Sequence, residues 1–367
     1  MDGKKERKLY LDGLKGIACL FIMIGHFSGI YKYATDVTSI ECGFLRSFTL
    51  FPISFLTAES FWLYLFFAIS GYLVASSDVV KLKDVLRKSI VRILRFLIPV
   101  IGAVIIAFVI GKTVGFHNQG LKTLLENSWF FTSYQSGFTF KDLIMEPVRV
   151  FIIGSSAFDS PLWVIRDMVL ASILIYGISY LFRCNKAVTI GGYVIVCILL
   201  VGCILLKKYV IFGCTCGACG KWNEKYIRSI TKFKVVPWAI LLTLTGAFFL
   251  KNNFVSAVVF TLWIIAIDGS STAKYFYSKG LLWLGSISFG IFLLHWPIYN
   301  SVGSLLIERL HGNLENNLLF ILEFSVSITM VIIASILFKL TVERMTTKAC
   351  QFLDDRIKVL HARGYEK

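Results

Sequence analysis

The residues able to do chemistry are few, and they sit where charge is expensive. His26 lies inside the apolar run LDGLKGIACLFIMIGHFSGIYK (11–32), and Lys15 precedes it by eleven residues. Eleven residues make almost three helical turns, so in an α-helix the two side chains share a face within roughly 20° and stand about 16 Å apart along the axis. An ionisable residue in a lipid-spanning helix normally faces the protein interior or a wet cavity, which makes His26 a candidate for function. The competing reading is a buried histidine bonded to a neighbouring helix. A second histidine, His295, ends the run GLLWLGSISFGIFLLHWP just before Trp296. Arg92 and Arg95 are three apart at the start of another apolar run and share a helix face. Guanidinium groups there either snorkel to headgroups or hold an anion such as phosphate. Trp163, Arg166 and Asp167 open a further run in SPLWVIRDM.

The elements that must position these groups are membrane helices. Hydrophobic residues make up 56% of the 367, charged residues 16%, and mean hydropathy is +0.73, too apolar for a water-soluble globule. A net charge of +16 would suggest nucleic acid in a soluble protein, but here the basic residues fall in short connectors, as the positive-inside rule expects. No nucleic-acid partner is expected. The pattern predicts an all-α polytopic bundle of about ten transmembrane helices, near 11–32, 61–75, 90–110, 160–182, 187–206, 207–220, 235–250, 254–268, 280–303 and 318–340. Counting ten rather than nine keeps both basic termini cytoplasmic. The first run has no small-residue cleavage pattern and reads as a retained signal anchor. Residues 1–367 form one integral membrane domain, with 345–367 as a short cytoplasmic tail.

Other features have plainer readings. The nine cysteines include Cys214, Cys216 and Cys219 in FGCTCGACG, which lack a nearby fourth ligand; small-residue packing explains them better than zinc, and no metal is expected. Ser70 and Gly71 read as close helix packing. The segment FTLFPISFL is too short for a span and reads as interfacial or re-entrant. The connector from about 113 to 160 is rich in rings (Trp129, Phe130, Phe131, Tyr134, Phe138, Phe140), which suit either a membrane-edge belt or a shelf for a sugar ring. Glu59, Glu323 and Asp268 lie in or near spans without an assigned role.

Four landmarks in order resemble the membrane-bound acyltransferase family 3, the polytopic O-acyltransferases of bacterial surface glycans. LDGLKGIACLFIMIGH resembles the family's opening segment with its basic residue and histidine. LFFAISGYLV followed by Arg92 and Arg95 resembles its second landmark, SPLWVIRDM its third, and LGSISFGIFLLHWP its last. The likeness spans residues 8 to about 345. Lys15 stands where the family usually has arginine, which keeps the charge and loses the bidentate fork. Glu343, Arg344 and Met345 stand where the family has Glu-Arg-Pro. No appended esterase domain is expected.

The resemblance implies acetyl-CoA as cytoplasmic acyl donor, held by Lys15, Arg92 and Arg95, and a carbohydrate hydroxyl as acceptor. It implies a catalytic His26, either general base or acyl acceptor, a functional His295, and Trp163, Arg166 and Asp167 near the substrate. A bacterial inner membrane is the implied location. The rival class is a transporter or exporter of a glycan precursor that uses His26 in proton coupling; it predicts proton-dependent flux without acyl-CoA turnover. A structural or signalling protein is disfavoured, because ionisable residues kept in lipid carry a cost.

Overall fold

A computed structural model describes residues 8–32, 47–48, 50–125, 129–135, 137–230, 235–268 and 270–363. The described residues are 85% helix, with no strand among them. Every segment expected to span appears as a helix: α1 Leu9–Lys32, α2 Glu59–Ala75, α3 Leu82–Thr113, α4 Val164–Leu181, α5 Lys186–Leu205, α6 Tyr209–Trp222, α7 Val236–Leu250, α8 Asn253–Asp268, α9 Lys279–Ile298 and α10 Asn316–Phe338. A further helix, α11 Arg344–Arg363, follows.

Among the described residues, six helices are long and apolar enough to cross a membrane, or seven if Asn253–Asp268 and Ser271–Tyr277 form one bent span. The protein is thus a multi-pass integral membrane protein, and the count of about ten is not reached by length alone. The reason is geometric. α2, α6 and α7 have 17, 14 and 15 residues. At 1.5 Å per residue they reach about 21–26 Å, short of a hydrocarbon core of roughly 30 Å.

Packing divides the chain into two units, one of Met1–Ile22, Ser60–Val80 and Ala171–Ser288, the other of Met23–Glu59, Lys81–Leu170 and Phe289–Lys367. In the first unit, α2 and α6 meet backbone to backbone. A Cβ on Gly71 would collide with the Cys214 carbonyl, and one on Gly217 with the Ala68 carbonyl. Only glycine permits that approach, so Ser70–Gly71 and the cysteine-rich stretch are a helix-packing seam, with Cys214 and Cys216 buried. At one end of this unit Lys8 donates to Glu224 and Asp268, both at 2.7 Å, and Arg228 pairs with the same two carboxylates. Lys221 joins Glu224, and Tyr72 bonds Lys8. Asp268 therefore belongs to an ionic knot. Lys15 pairs with Asp12 at 2.6 Å.

In the second unit, two prolines mark changes of helical pitch. Pro147 lies in the short helix Phe140–Val148 and is followed by a π-helical turn, Arg149–Ile153; Pro297 lies in α9 and is followed by another, Tyr299–Gly303. Proline has no N–H to give and crowds the carbonyl one turn back, so the ladder locally widens. A third π turn, Lys339–Glu343, joins α10 to α11. The expected short tail is thus a helix docked on α3: Arg87 pairs with Asp354, and the Cys350 thiol reaches the Val91 carbonyl at 3.7 Å. The connector before α4 carries the helix Phe140–Val148 and so has structure of its own. Of FTLFPISFL, Ile53–Leu56 is one helical turn, and Thr49 lies outside the described residues. The basic residues Lys4, Lys5 and Arg7 of the N-terminal segment also lie outside them.

Candidate active site

The second unit brings its two buried histidines together. His26 comes from the part of α1 after Met23 and His295 from the part of α9 after Phe289. Their nitrogens, His26 Nδ1 and His295 Nε2, are 2.7 Å apart. The ring centroids are 5.0 Å apart with planes inclined by only 17°, so the imidazoles meet edge to edge, nitrogen to nitrogen. His26 is 6% exposed and His295 is fully buried.

One further bond sets the direction of this pair. His295 Nδ1 lies 2.9 Å from the Ile291 carbonyl, which can only accept, so Nδ1 carries the proton. A neutral imidazole has one N–H, so His295 Nε2 is the acceptor and His26 Nδ1 the donor. His26 Nε2 is then left with its lone pair. One carbonyl four residues back along α9 and a partner on α1 therefore produce a base with a defined tautomer.

Aromatic groups enclose the pair. Trp129 lies 5.3 Å and Trp296 6.0 Å from the His26 ring, and the two indoles are 4.1 Å apart. Each indole N–H is fixed: Trp129 donates to Ser160 Oγ and Trp296 to Ser133 Oγ, both at 2.8 Å. The Tyr299 ring stands edge-on to His295 at 5.7 Å, and its hydroxyl donates to the Met23 carbonyl at 3.0 Å, tying α9 to α1 beside the pair. Gly25 allows the chain at Thr57 to approach α1 one residue before His26.

In the connector before α4 two carboxyls are buried, Glu146 and Asp159. Burial, and then the neighbouring Glu146, push the Asp159 carboxyl well above the usual carboxylate range. Burial and the same two carboxyls also raise the Tyr134 hydroxyl. Deeper in the unit, Glu323 is fully buried and accepts from the Tyr31 hydroxyl.

Apart from Lys15, which pairs with Asp12, the expected site residues fall into three groups. His26 and His295 touch. Arg166 and Asp167 pair with each other at 3.0 Å, and Arg166 also donates to the Ile153 carbonyl, its guanidinium lying where a side chain on Gly154 would be. They brace the π turn before α4, while Trp163 is exposed. Arg92 lies over the Phe96 ring at 4.7 Å, and the exposed Arg95 reaches the Cys350 thiol. Residue spacing did not point to Tyr299, Ser133, Ser160 or Glu146 as supports of the site. Ser133, Ser160 and Glu146 lie in an aromatic connector with three other acids, Glu126, Asp142 and Asp159, and Tyr299 follows shortly after Pro297; spacing singles out none of them.

An all-helical, multi-pass membrane protein with a buried, directionally bonded histidine pair is thus the class that fold and site define. A family profile described as an acyltransferase domain matches residues 8–340. The chain belongs to acyltransferase family 3. No curated protein and no solved structure gave a match. A membrane acyltransferase implies an acyl donor, an acceptor and a lipid bilayer.

Proposed function

We propose that the protein is an O-acyltransferase that moves an acetyl or other short acyl group from acetyl-CoA on the cytoplasmic side to a hydroxyl of a surface or exopolysaccharide glycan. The observation that carries this reading is the free Nε2 of His26, which follows from the bonds His26–His295 and His295–Ile291. In the proposed step the acceptor O–H gives its proton to His26 Nε2 as its oxygen attacks the thioester carbonyl. The carbon–sulfur bond then breaks, and the proton passes to the departing thiolate, so the protein ends as it began. His295 stabilises the imidazolium by accepting from Nδ1, as the third member of a hydrolase triad does.

Arg92, Arg95 and Lys15 are assigned to the donor's phosphates and Trp163, Arg166 and Asp167 to the acceptor side, on the family resemblance. Exposure of Arg95 supports the first assignment, whereas the bond of Arg166 to Ile153 favours an indirect role. In this reading the short helices α2, α6, α7 and α8 complete a ten-span bundle with both termini cytoplasmic, in a bacterial inner membrane.

The test is transfer of labelled acetyl from acetyl-CoA to the glycan fraction of membranes with and without the protein, alongside His26→Ala and Arg95→Ala at matched expression. Label that depends on the protein and on His26 supports the reading. Proton-dependent glycan flux without acyl-CoA turnover would replace it with the transporter.

A further inference from the structure

Glu146 is a carboxylate that the proposed chemistry does not use. It lies in the short helix Phe140–Val148 and is 1% exposed. One of its oxygens, Oε1, accepts from the Ser156 hydroxyl, from the Ala157 N–H at 2.8 Å and from the Phe158 N–H at 3.3 Å. The other faces Arg149 at 3.5 Å. Ser156 Oγ in turn accepts from the Asp159 N–H at 2.7 Å. The segment 156–159 is therefore wound around one carboxylate, much as backbone amides gather around an anion in a nest.

The next residue connects this nest to the histidines. Ser160 opens the 3-10 turn leading into α4, and its hydroxyl accepts from the Trp129 indole. The Trp129 ring stands against both His26 and Trp296. A second arm reaches the same place: the Ser133 carbonyl accepts from Asn118 and Gln119, each at 2.9 Å, and the Ser133 hydroxyl holds the Trp296 indole. Two buried supports thus set the two rings that flank the base.

We propose that Glu146 is a positioning residue for acyl transfer: by gathering the backbone of 156–159 it places Ser160, and through Ser160 it holds Trp129 against His26. It touches no substrate. Its effect is to keep the indole walls closed around the base, so that the acceptor hydroxyl and not water meets Nε2. A misplacement of about 1 Å at such a distance from the reacting atoms can cost roughly 100-fold in rate. The inference deepens the acyltransferase reading and rests on it for its catalytic consequence, while the structural link from Glu146 to Trp129 stands apart from it.

The experiment uses the full-length protein in detergent with 5-fluorotryptophan incorporated, and Trp129→Phe assigns the Trp129 fluorine resonance. Glu146→Ala and Ser160→Ala shift or broaden that resonance, whereas Glu146→Gln, which keeps the Oε1 acceptor, leaves it in place. In parallel, transfer of labelled acetyl from acetyl-CoA to host membrane glycan falls roughly 10- to 100-fold in Glu146→Ala and in Ser160→Ala. The ratio of acetyl-CoA hydrolysis to transfer rises in both, and Glu146→Gln restores transfer to within about threefold. The double variant is no worse than the poorer single one, because both break one path. An unmoved Trp129 resonance in a folded Glu146→Ala protein overturns the proposal, as does loss of transfer equal in the Ala and Gln variants. A resonance that responds as described in a wild-type protein that transfers nothing would instead sink the acyltransferase reading and leave the positioning link intact.

Discussion

Replacing His295 tests the direction of the histidine pair. In His295→Leu the acceptor for His26 Nδ1–H disappears, and the imidazolium formed during proton transfer loses the bond seen at 2.7 Å. A hydrogen bond to a charged group is worth about 1.5–3 kcal/mol, which at 1.36 kcal/mol per tenfold is a loss of roughly 10- to 150-fold in kcat. His26 is also free to move its proton to Nε2, which removes the base altogether and adds to the loss; a mis-set tautomer costs about 10⁴-fold in a serine protease triad. His295→Gln is the control. Its amide oxygen can accept from His26 Nδ1–H while its amide nitrogen donates to the Ile291 carbonyl, so the tautomer survives and the loss stays below about tenfold. The assay is initial-rate acetyl transfer by purified protein, with gel filtration and thermal melting to show that each variant is folded. The reasoning is refuted if folded His295→Leu retains wild-type kcat, or if His295→Gln is as poor as His295→Leu.

Three further outcomes are expected. Arg92→Ala and Arg95→Ala raise the KM for acetyl-CoA several-fold, each by about 1 kcal/mol of charge-assisted bonding, with little change in kcat; the difference from wild type narrows in 1 M salt, and a salt-independent KM would argue against a phosphate contact. Asp159 has its carboxyl raised by burial and by Glu146, so the folded state binds a proton that the unfolded chain releases above about pH 4. Stability should therefore decline as pH rises from about 4 towards the folded value, and Asp159→Asn should flatten that decline in melting curves; an unchanged slope contradicts it. Glu224 behaves oppositely. Burial raises it, but bonds from Lys221 and Lys8 outweigh burial and hold it below the usual carboxylate range. Its contribution is present above the unfolded value of about 4.3 and lost as pH falls through the folded one, so the acid-side drop in Tm should shrink in Glu224→Gln.

Much of the scaffold was legible because membrane helices announce themselves by apolar length. All ten expected segments are helical, and the plain readings of Gly71 and the cysteines as packing follow from residue size alone. Span number was not, because α2, α6 and α7 are shorter than a bilayer core, and hydropathy cannot say how a short helix meets lipid. The helix in the tail was not legible: α11 is polar on average, and it is held against α3 through residues some 260 positions away, such as Arg87 with Asp354. At the site, His26 and His295 could each be picked out by type. Their bond joins residues 269 apart, and no spacing within one helix encodes it. Lys15 was legible on the His26 face of α1, yet its partner in the structure is Asp12, one turn earlier. Glu146 gave the least warning, since its partners are chiefly backbone amides, which every sequence has.

The central claim is that His26 Nε2 activates an acceptor hydroxyl for acyl transfer, and one measurement meets it directly. Purified protein, wild type and His26→Ala, is mixed with labelled acetyl-CoA, first alone and then with glycan acceptor, and quenched at short times. The account predicts no acetyl on the protein before acceptor is added, rapid acetylation of the glycan afterwards, and loss of that step in His26→Ala. A stoichiometric acetyl adduct on His26, formed with donor alone and passed to the glycan at the turnover rate, would contradict the base and make His26 the nucleophile.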